Sequence, residues 1–246
     1  MLRVNRYFLP GYVWHITHRY HKKEFLLKFK KDRNLWLKWL YEAKKRFGLC
    51  ILNYTVTSNH IHLLLQDTGQ RETLPKSMQL IAGRTAQEYN IRKKRKGAFW
   101  ENRYHATAIQ VSDHLIRCLV YIDLNMVRAG VVHHPSEWAY CGYNEIQSPP
   151  QRYAVINRKQ LMTLLGISNS EKFGKTYNGW VEDVLKRGVN IRQDKWTRSI
   201  AVGHKEFVEM VKDRLGYKAI GRKISGTEEN FELKENVFPY RTNFTG

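Results

Sequence analysis

Thr55-Val56-Thr57-Ser58-Asn59-His60-Ile61-His62-Leu63-Leu64-Leu65-Gln66 is the stretch whose reading decides the fold. Its β-branched and apolar residues, with Ser, Asn, Asp and Gly nearby, read as a strand. Side chains of a strand alternate between faces. His60 and His62 therefore share one face, and Ile61, Leu63 and Leu65 share the other, which suits a buried core. Two imidazoles about 7 Å apart along a strand can converge on one divalent cation if a third ligand comes from elsewhere. The alternative is two unrelated histidines on a solvated sheet face. A His-hydrophobe-His triplet decides nothing alone; the rest of the chain must supply the third ligand and a reactive group.

Working outward, Cys50 to Thr57 reads as a strand that turns at Ser58-Asn59 into the histidine strand, giving a β-hairpin. Before it lies a helix from about Asp32 to Phe47. Asp32 is its expected N-cap and Gly48 its C′ residue. Leu35, Trp36, Trp39, Leu40, Ala43 and Phe47 make its apolar stripe. Earlier still, Tyr12 to Tyr20 reads as a strand with Trp14 and Ile16 on one face and His15 and Thr17 on the other. After the hairpin, Pro75 opens a helix running to about Asn90, and Phe99 to Val111 reads as a fourth strand. The order β-α-β-β-α-β is the ferredoxin-like, RRM-like arrangement. It predicts an α+β fold: an antiparallel sheet with helices on one face and the other face free to hold a site.

Ser112 caps a further helix, expected to run unbroken to about Ala129 with Gly130 after it. Leu115, Leu119, Ile122 and Met126 form its apolar stripe. Opposite them lie His114, Cys118, Tyr121, Asn125 and Arg128, with Tyr121 and Asn125 neighbours at a spacing of four. Gly142 to Arg152, with Ser148-Pro149-Pro150, reads as a linker. Helices are expected at Asn157 to Leu165, Tyr177 to Lys186 and His204 to Leu215. Residues 1–145 thus form the main domain, 146–218 a helical appendage and 219–246 an irregular tail.

Lys and Arg number 42 against 22 Asp and Glu, a formal net charge of +20 in 246 residues. A surface so basic attracts polyanions. Fourteen Tyr, ten Phe and seven Trp offer stacking surfaces for unpaired bases besides filling the core. The candidate phosphate contacts are Arg19, Arg84, Arg103, Arg128 and the run Arg92-Lys93-Lys94-Arg95-Lys96, read as a phosphate clamp rather than a solvated loop. Cys50, Cys118 and Cys141, with no Cys-x-x-Cys, suggest neither a disulfide framework nor a zinc ribbon, and reduced, partly buried thiols are expected. No run is long and apolar enough for a membrane span, and Met1 to Pro10 lacks a signal-peptide core. Cytoplasmic residence is expected.

His60, His62 and the neutral carbonyl of Asn125 make a mixed nitrogen and oxygen set suited to Mg²⁺ or Mn²⁺. Tyr121, one turn before Asn125, could present its phenol to a phosphate held there. A phenol is a weak nucleophile at neutral pH, and a nearby cation would activate it. Attack at phosphorus would give a covalent phosphotyrosine and release a sugar hydroxyl.

The stretches Asn59-His60-Ile61-His62-Leu63-Leu64-Leu65, Phe99-Trp100-Glu101-Asn102-Arg103-Tyr104 and Tyr121-Ile122-Asp123-Leu124-Asn125-Met126-Val127-Arg128-Ala129-Gly130 resemble the single-tyrosine HUH transposases. The closer similarity, over about residues 5 to 145, is to their REP-associated branch. The resemblance implies that His60 and His62 are metal ligands, completed by Asn125. It implies that Tyr121 is the nucleophile, forming a 5′-phosphotyrosine and leaving a 3′-hydroxyl. The implied substrate is single-stranded DNA beside an imperfect palindromic hairpin of REP type. A monomer is the favoured state, with a dimer as the alternative. Met126 stands where the family usually has proline, and a change of packing rather than of chemistry is expected there. The other readings are a non-catalytic DNA hairpin-binding module, and an RNA-binding protein on the same fold.

Overall fold

The computed structural model describes residues 9–188, 193–227 and 229–234. The first half follows the expected order: β1 (Val13–Arg19), α1 (Lys30–Phe47), β2 (Cys50–Val56), β3 (His60–Gln66), α2 (Thr73–Arg92) and β4 (His105–Ile109). The strands lie in the order β2-β3-β1-β4, every neighbouring pair antiparallel. Thr57 closes the hairpin turn: its hydroxyl accepts from the His60 N–H and donates to the His60 carbonyl. Register then sets Thr17 and Thr55 on either side of His62, and Arg19 opposite His60. The fourth strand is shorter than expected. Phe99-Trp100 meets the sheet only by a bridge from Trp100 to Tyr20.

Trp36, Leu40 and Ala43 of α1 pack with Met78 and Ile81 of α2 in one buried core that includes Trp14, Ile16, Leu63 and Leu65. Gly48 ends α1 in the left-handed conformation, φ 68°, its N–H bonded to the Lys44 carbonyl. The start of that helix differs from expectation. Phe29 is the N-cap, and Asp32 is buried inside the first turn, paired with Arg92 of α2. Asp32 is the third residue of the helix, inside the capping position, and its Oδ1 faces Arg92.

Ser112 caps α3 (Asp113–Asp123) as expected, its side chain accepting from the His114 N–H. The helix does not continue unbroken to Ala129. It breaks at Leu124, and α4 (Asn125–Arg128) follows. Arg128 Nη2 donates to the Tyr121 carbonyl at 2.6 Å. In an unbroken helix that carbonyl would accept from the Asn125 N–H.

Beyond residue 140 the chain departs further from expectation. The segment read as a linker holds α5 (Gly142–Gln147). Then come α6 (Arg158–Leu164), α7 (Ser170–Arg187) and α8 (Lys195–Arg198). β5 (Ser199–Gly203) follows, then α9 (Lys205–Leu215), β6 (Ile224–Thr227) and β7 (Asn230–Lys234). So the stretch expected to be purely helical donates β5, which pairs parallel to β4, and the tail expected to be irregular adds an antiparallel hairpin. The sheet has seven strands in the order β2-β3-β1-β4-β5-β7-β6. Residues 1–8 and 235–246 lie outside the described residues. The second sheet face is not free either: His15, Asn53 and Thr55 are buried on it, beneath α3, α7 and Trp196. At the end of the sheet near Arg19 and His60 a cavity remains open. Among the described residues, all three thiols are free and buried, and no helix is long and apolar enough to cross a membrane.

One buried network holds α3 to β2 and α7. The Asp123 carboxylate accepts from Asn53 Nδ2 (2.9 Å) and from the Tyr177 hydroxyl (2.5 Å). Burial raises the Asp123 pKa from 3.8 to about 7, against the lowering effect of those two bonds. A carboxyl whose folded pKa lies above its unfolded one favours folding while protonated. That contribution is complete below pH 3.8 and is lost as pH rises through about 7. Asp123→Asn, which carries no charge to bury, should therefore gain on the wild type by about 2 kcal/mol between pH 5 and pH 8. Urea unfolding at the two pH values measures this. A difference that does not change with pH would show the carboxylate to be ionised throughout.

Candidate functional site

The period of two puts His60 and His62 on one face of β3, and the turn at Thr57 to Asn59 directs them to the open end of the sheet. Their Nε2 atoms lie 3.0 Å apart. Asn125, carried in by the break in the helix, has Nδ2 3.0 Å from His62 Nε2.

The protons follow from the partners. The Trp196 carbonyl, 2.8 Å from His15 Nδ1, can only accept, so that nitrogen carries the hydrogen. Burial, the largest effect, lowers the His15 pKa to about 3, so the ring is neutral and its Nε2 is bare. His62 Nδ1, 2.9 Å away, must then donate to it. Burial above all, then the charges of His60, His15, Arg128 and Arg19, hold His62 well below its ordinary pKa. The His62 lone pair is therefore on Nε2, aimed into the site. His60 Nδ1 faces the Asn59 side-chain oxygen at 2.5 Å, which assigns its hydrogen to Nδ1 and leaves its own Nε2 bare when neutral.

Two bare acceptors 3.0 Å apart repel each other. A cation relieves this, and the spacing matches two adjacent ligands of an octahedral ion with bonds of about 2.1 Å. Turning the Asn125 amide exchanges its nitrogen for its oxygen at the same place. Among the described residues no three His, Cys, Asp or Glu side chains surround one point, so the third protein donor would be this amide. The set fits a hard or borderline divalent ion that keeps water or phosphate oxygens as its other ligands.

Tyr121 stands beside these rings. Its centroid is 5.9 Å from that of His62 at an interplanar angle of 88°, and 6.3 Å from that of His15. Arg128 holds its guanidinium carbon 4.0 Å from the Tyr121 ring centroid. A cavity of about 290 Å³ is lined by His60, His62, Tyr121 and Asn125 together with Arg19, Lys23, Arg128 and Thr197. The structure thus brings the four candidate chemical residues and two of the candidate cations into one space.

The other basic candidates sit elsewhere. Arg84 stacks on Trp39, on the α1–α2 side of the sheet. Arg92 pairs with buried Asp32 and lies over Tyr89. Lys93 lies over Phe29, and Arg95 donates to the Ala98 carbonyl and pairs with Glu24. Lys94, Lys96 and Arg103 are exposed and do not line the cavity. The run 92–96 is therefore tied to local structure at its first, second and fourth positions.

Sequence reasoning missed Lys23, Thr197 and the role of His15. Alternation along β1 already placed His15 on the site face, but its partner Trp196 is 181 residues away. Met126 is buried.

The family model described as Transposase IS200 like matches residues 11–125. The solved structure of a REP-associated tyrosine transposase bound to a REP hairpin is similar over 61% of this chain and 87% of that chain. Its TM-score is 0.51 at 17% identity, a likeness of fold. A putative transposase from Deinococcus radiodurans R1 is similar over 46% of this chain and 89% of that one, with TM-score 0.35 and 18% identity. No curated protein matches the sequence.

Proposed function

We propose, from the match of the family model described as Transposase IS200 like to residues 11–125, that the protein cleaves and rejoins single-stranded DNA beside a palindromic hairpin. Supporting this above all is the convergence of His60, His62, Asn125 and Tyr121 on one cavity edged by Arg19, Lys23 and Arg128. Hairpin DNA as the partner draws on the similar fold solved with a REP hairpin and on the net charge of +20.

His60, His62 and Asn125 would hold Mg²⁺ or Mn²⁺. Such an ion, when bound, neutralises and polarises the scissile phosphate. Arg19 and Arg128 add fixed positive charge for the backbone. The Tyr121 phenol oxygen attacks phosphorus and its proton passes to solvent. The P–O3′ bond breaks, and the departing 3′ oxygen takes up a proton. The product is a 5′-phosphotyrosine and a free 3′-hydroxyl. One phosphoester replaces another, so the reverse attack by a 3′-hydroxyl rejoins strands without a nucleotide cofactor.

The test uses a labelled single-stranded oligonucleotide carrying a hairpin-forming sequence taken from the DNA that flanks the gene, incubated with the full chain and Mn²⁺ or Mg²⁺. The expected result is a labelled protein band that survives SDS. Tight hairpin binding with no such band in either metal would make the protein a binding module instead.

A further inference from the structure

On the far side of Tyr121 from the histidines lies a second concavity of about 750 Å³. Tyr121 and Arg128 belong to both spaces, so the tyrosine stands where one opens into the other. The second concavity is otherwise lined by residues of α3 and α7, by Gly188, Gln193 and Lys195, and by Asn230 of β7, so much of it lies beyond residue 125. Trp180 and Val184 of α7, with Val120 and Leu124, give it an apolar wall. Arg117, Arg187 and Lys195 add cations, against the single carboxylate of Asp183.

Among the described residues that line this groove, four cations (Arg117, Arg128, Arg187 and Lys195) face one carboxylate, Asp183. Arg117 Nη1 and Lys195 Nζ both donate to the same neutral acceptor, Asn230 Oδ1, at 2.8 and 3.3 Å. Asp113, an exposed carboxylate, is 4.0 Å from Arg117. Burial and then the Arg117 charge lower the Lys195 pKa, against the raising effect of Glu232 and Cys118. A cation pair converging on one amide oxygen is relieved by an anion, and a phosphodiester is an anion that also brings a flat base to an apolar wall.

We propose that this groove is the track for the single-stranded DNA that continues from the scissile phosphate, with a backbone phosphate at Arg117 and Lys195 and an unpaired base against Trp180. The inference rests on the cleavage reading above, since it is Tyr121 that fixes where the strand passes from one space to the other. A duplex would present only phosphates to the groove and leave the Trp180 wall without a partner, so the occupant is unpaired.

The test uses the full chain carrying Tyr121→Phe, so that nothing is cut, without divalent ion. Binding of fluorescein-labelled (dT)12 is followed by anisotropy over a KCl series. Each phosphate contact contributes about 0.7 to the slope of log affinity against log salt for single strands. Adding Arg117→Gln and Lys195→Gln should make the slope shallower by about 0.7 to 1.4. Adding Lys38→Gln and Lys76→Gln, which removes the same charge from the α1–α2 side, should leave it unchanged. Photo-crosslinking with 5-iododeoxyuridine in the same oligonucleotide should mark the tryptic peptide 176–186, which contains Trp180. An unchanged slope in the groove variant, an equal change in the control, or no crosslink in that peptide overturns the proposal. So does a response to (rU)12 without one to (dT)12, which would put RNA in the groove. A chain that forms the SDS-resistant adduct yet fails these tests refutes the track alone, and one that passes them without an adduct refutes cleavage alone.

Discussion

Tyr121→Phe is expected to lose the SDS-resistant protein–DNA adduct entirely while binding the uncut hairpin as the wild type does. The substitution removes one hydroxyl and nothing else. The ring is 7% exposed, so its packing against His62, His15 and Trp196 is what holds it in place, and phenylalanine keeps that packing. The contact with Arg128 is to the ring and to the backbone carbonyl, and both survive. Stability should stay within about 1 kcal/mol of the wild type, the usual worth of a single hydroxyl's hydrogen bond. A variant that folds and binds but forms no adduct therefore isolates the nucleophile from every other role of the residue. An adduct formed by the Phe variant would remove Tyr121 from the reaction. Tyr104, whose ring lies 6.4 Å from His18, would be the next tyrosine to replace.

How much of this was legible before the structure depends on the range of the interaction concerned. The hairpin that carries His60 and His62, the stripe of α1 and the Ser112 cap are set by residues within a few positions of one another, and periodicity exposes them. The pairing of Tyr121 with the histidines needed only the sheet topology and a helix laid on it. What escaped was decided by side chains distant in sequence or aimed at backbone. Asp32 reads as a cap, yet it is the third residue of the helix and faces Arg92, sixty residues on. The helix reads as continuous through Asn125 until the Arg128 side chain claims the Tyr121 carbonyl. Ser199-Ile200-Ala201-Val202-Gly203 is too short and too small to announce a strand, and its partners β4 and β7 are remote or weakly patterned. A basic run signals charge but not direction, and the structure directs much of residues 92–96 to carboxylates, carbonyls and rings of the protein itself.

The same long-range logic yields the second large effect. His15→Phe should weaken Mn²⁺ binding by about 10- to 100-fold, as losses of groups that orient a metal ligand do. His15 is fully buried and phenyl is somewhat larger than imidazole, so no cavity is left and the core has to absorb a small excess of volume. The change removes the acceptor that fixes the hydrogen on His62 Nδ1. His62 can then place that hydrogen on Nε2, which blocks its lone pair from the site. The Thr107 hydroxyl lies 3.3 Å from the Trp196 carbonyl but 2.6 Å from that of Ser199, so its one hydrogen is shared and the Trp196 carbonyl loses its main donor; some loss of stability is expected alongside. Titration calorimetry with Mn²⁺ reads the affinity without any turnover, and long-range ¹⁵N–¹H correlation spectra read the His62 tautomer directly. His15→Gln, whose side-chain oxygen can accept from the same nitrogen, should recover part of the affinity. A merely structural role predicts a different pattern: both variants melt earlier, yet each folded fraction binds Mn²⁺ as the wild type does. That result would sever His15 from the site. The affinity loss with rescue would mean that a carbonyl near the far end of the chain, 181 residues from β1, sets the protonation of a residue at the proposed metal centre.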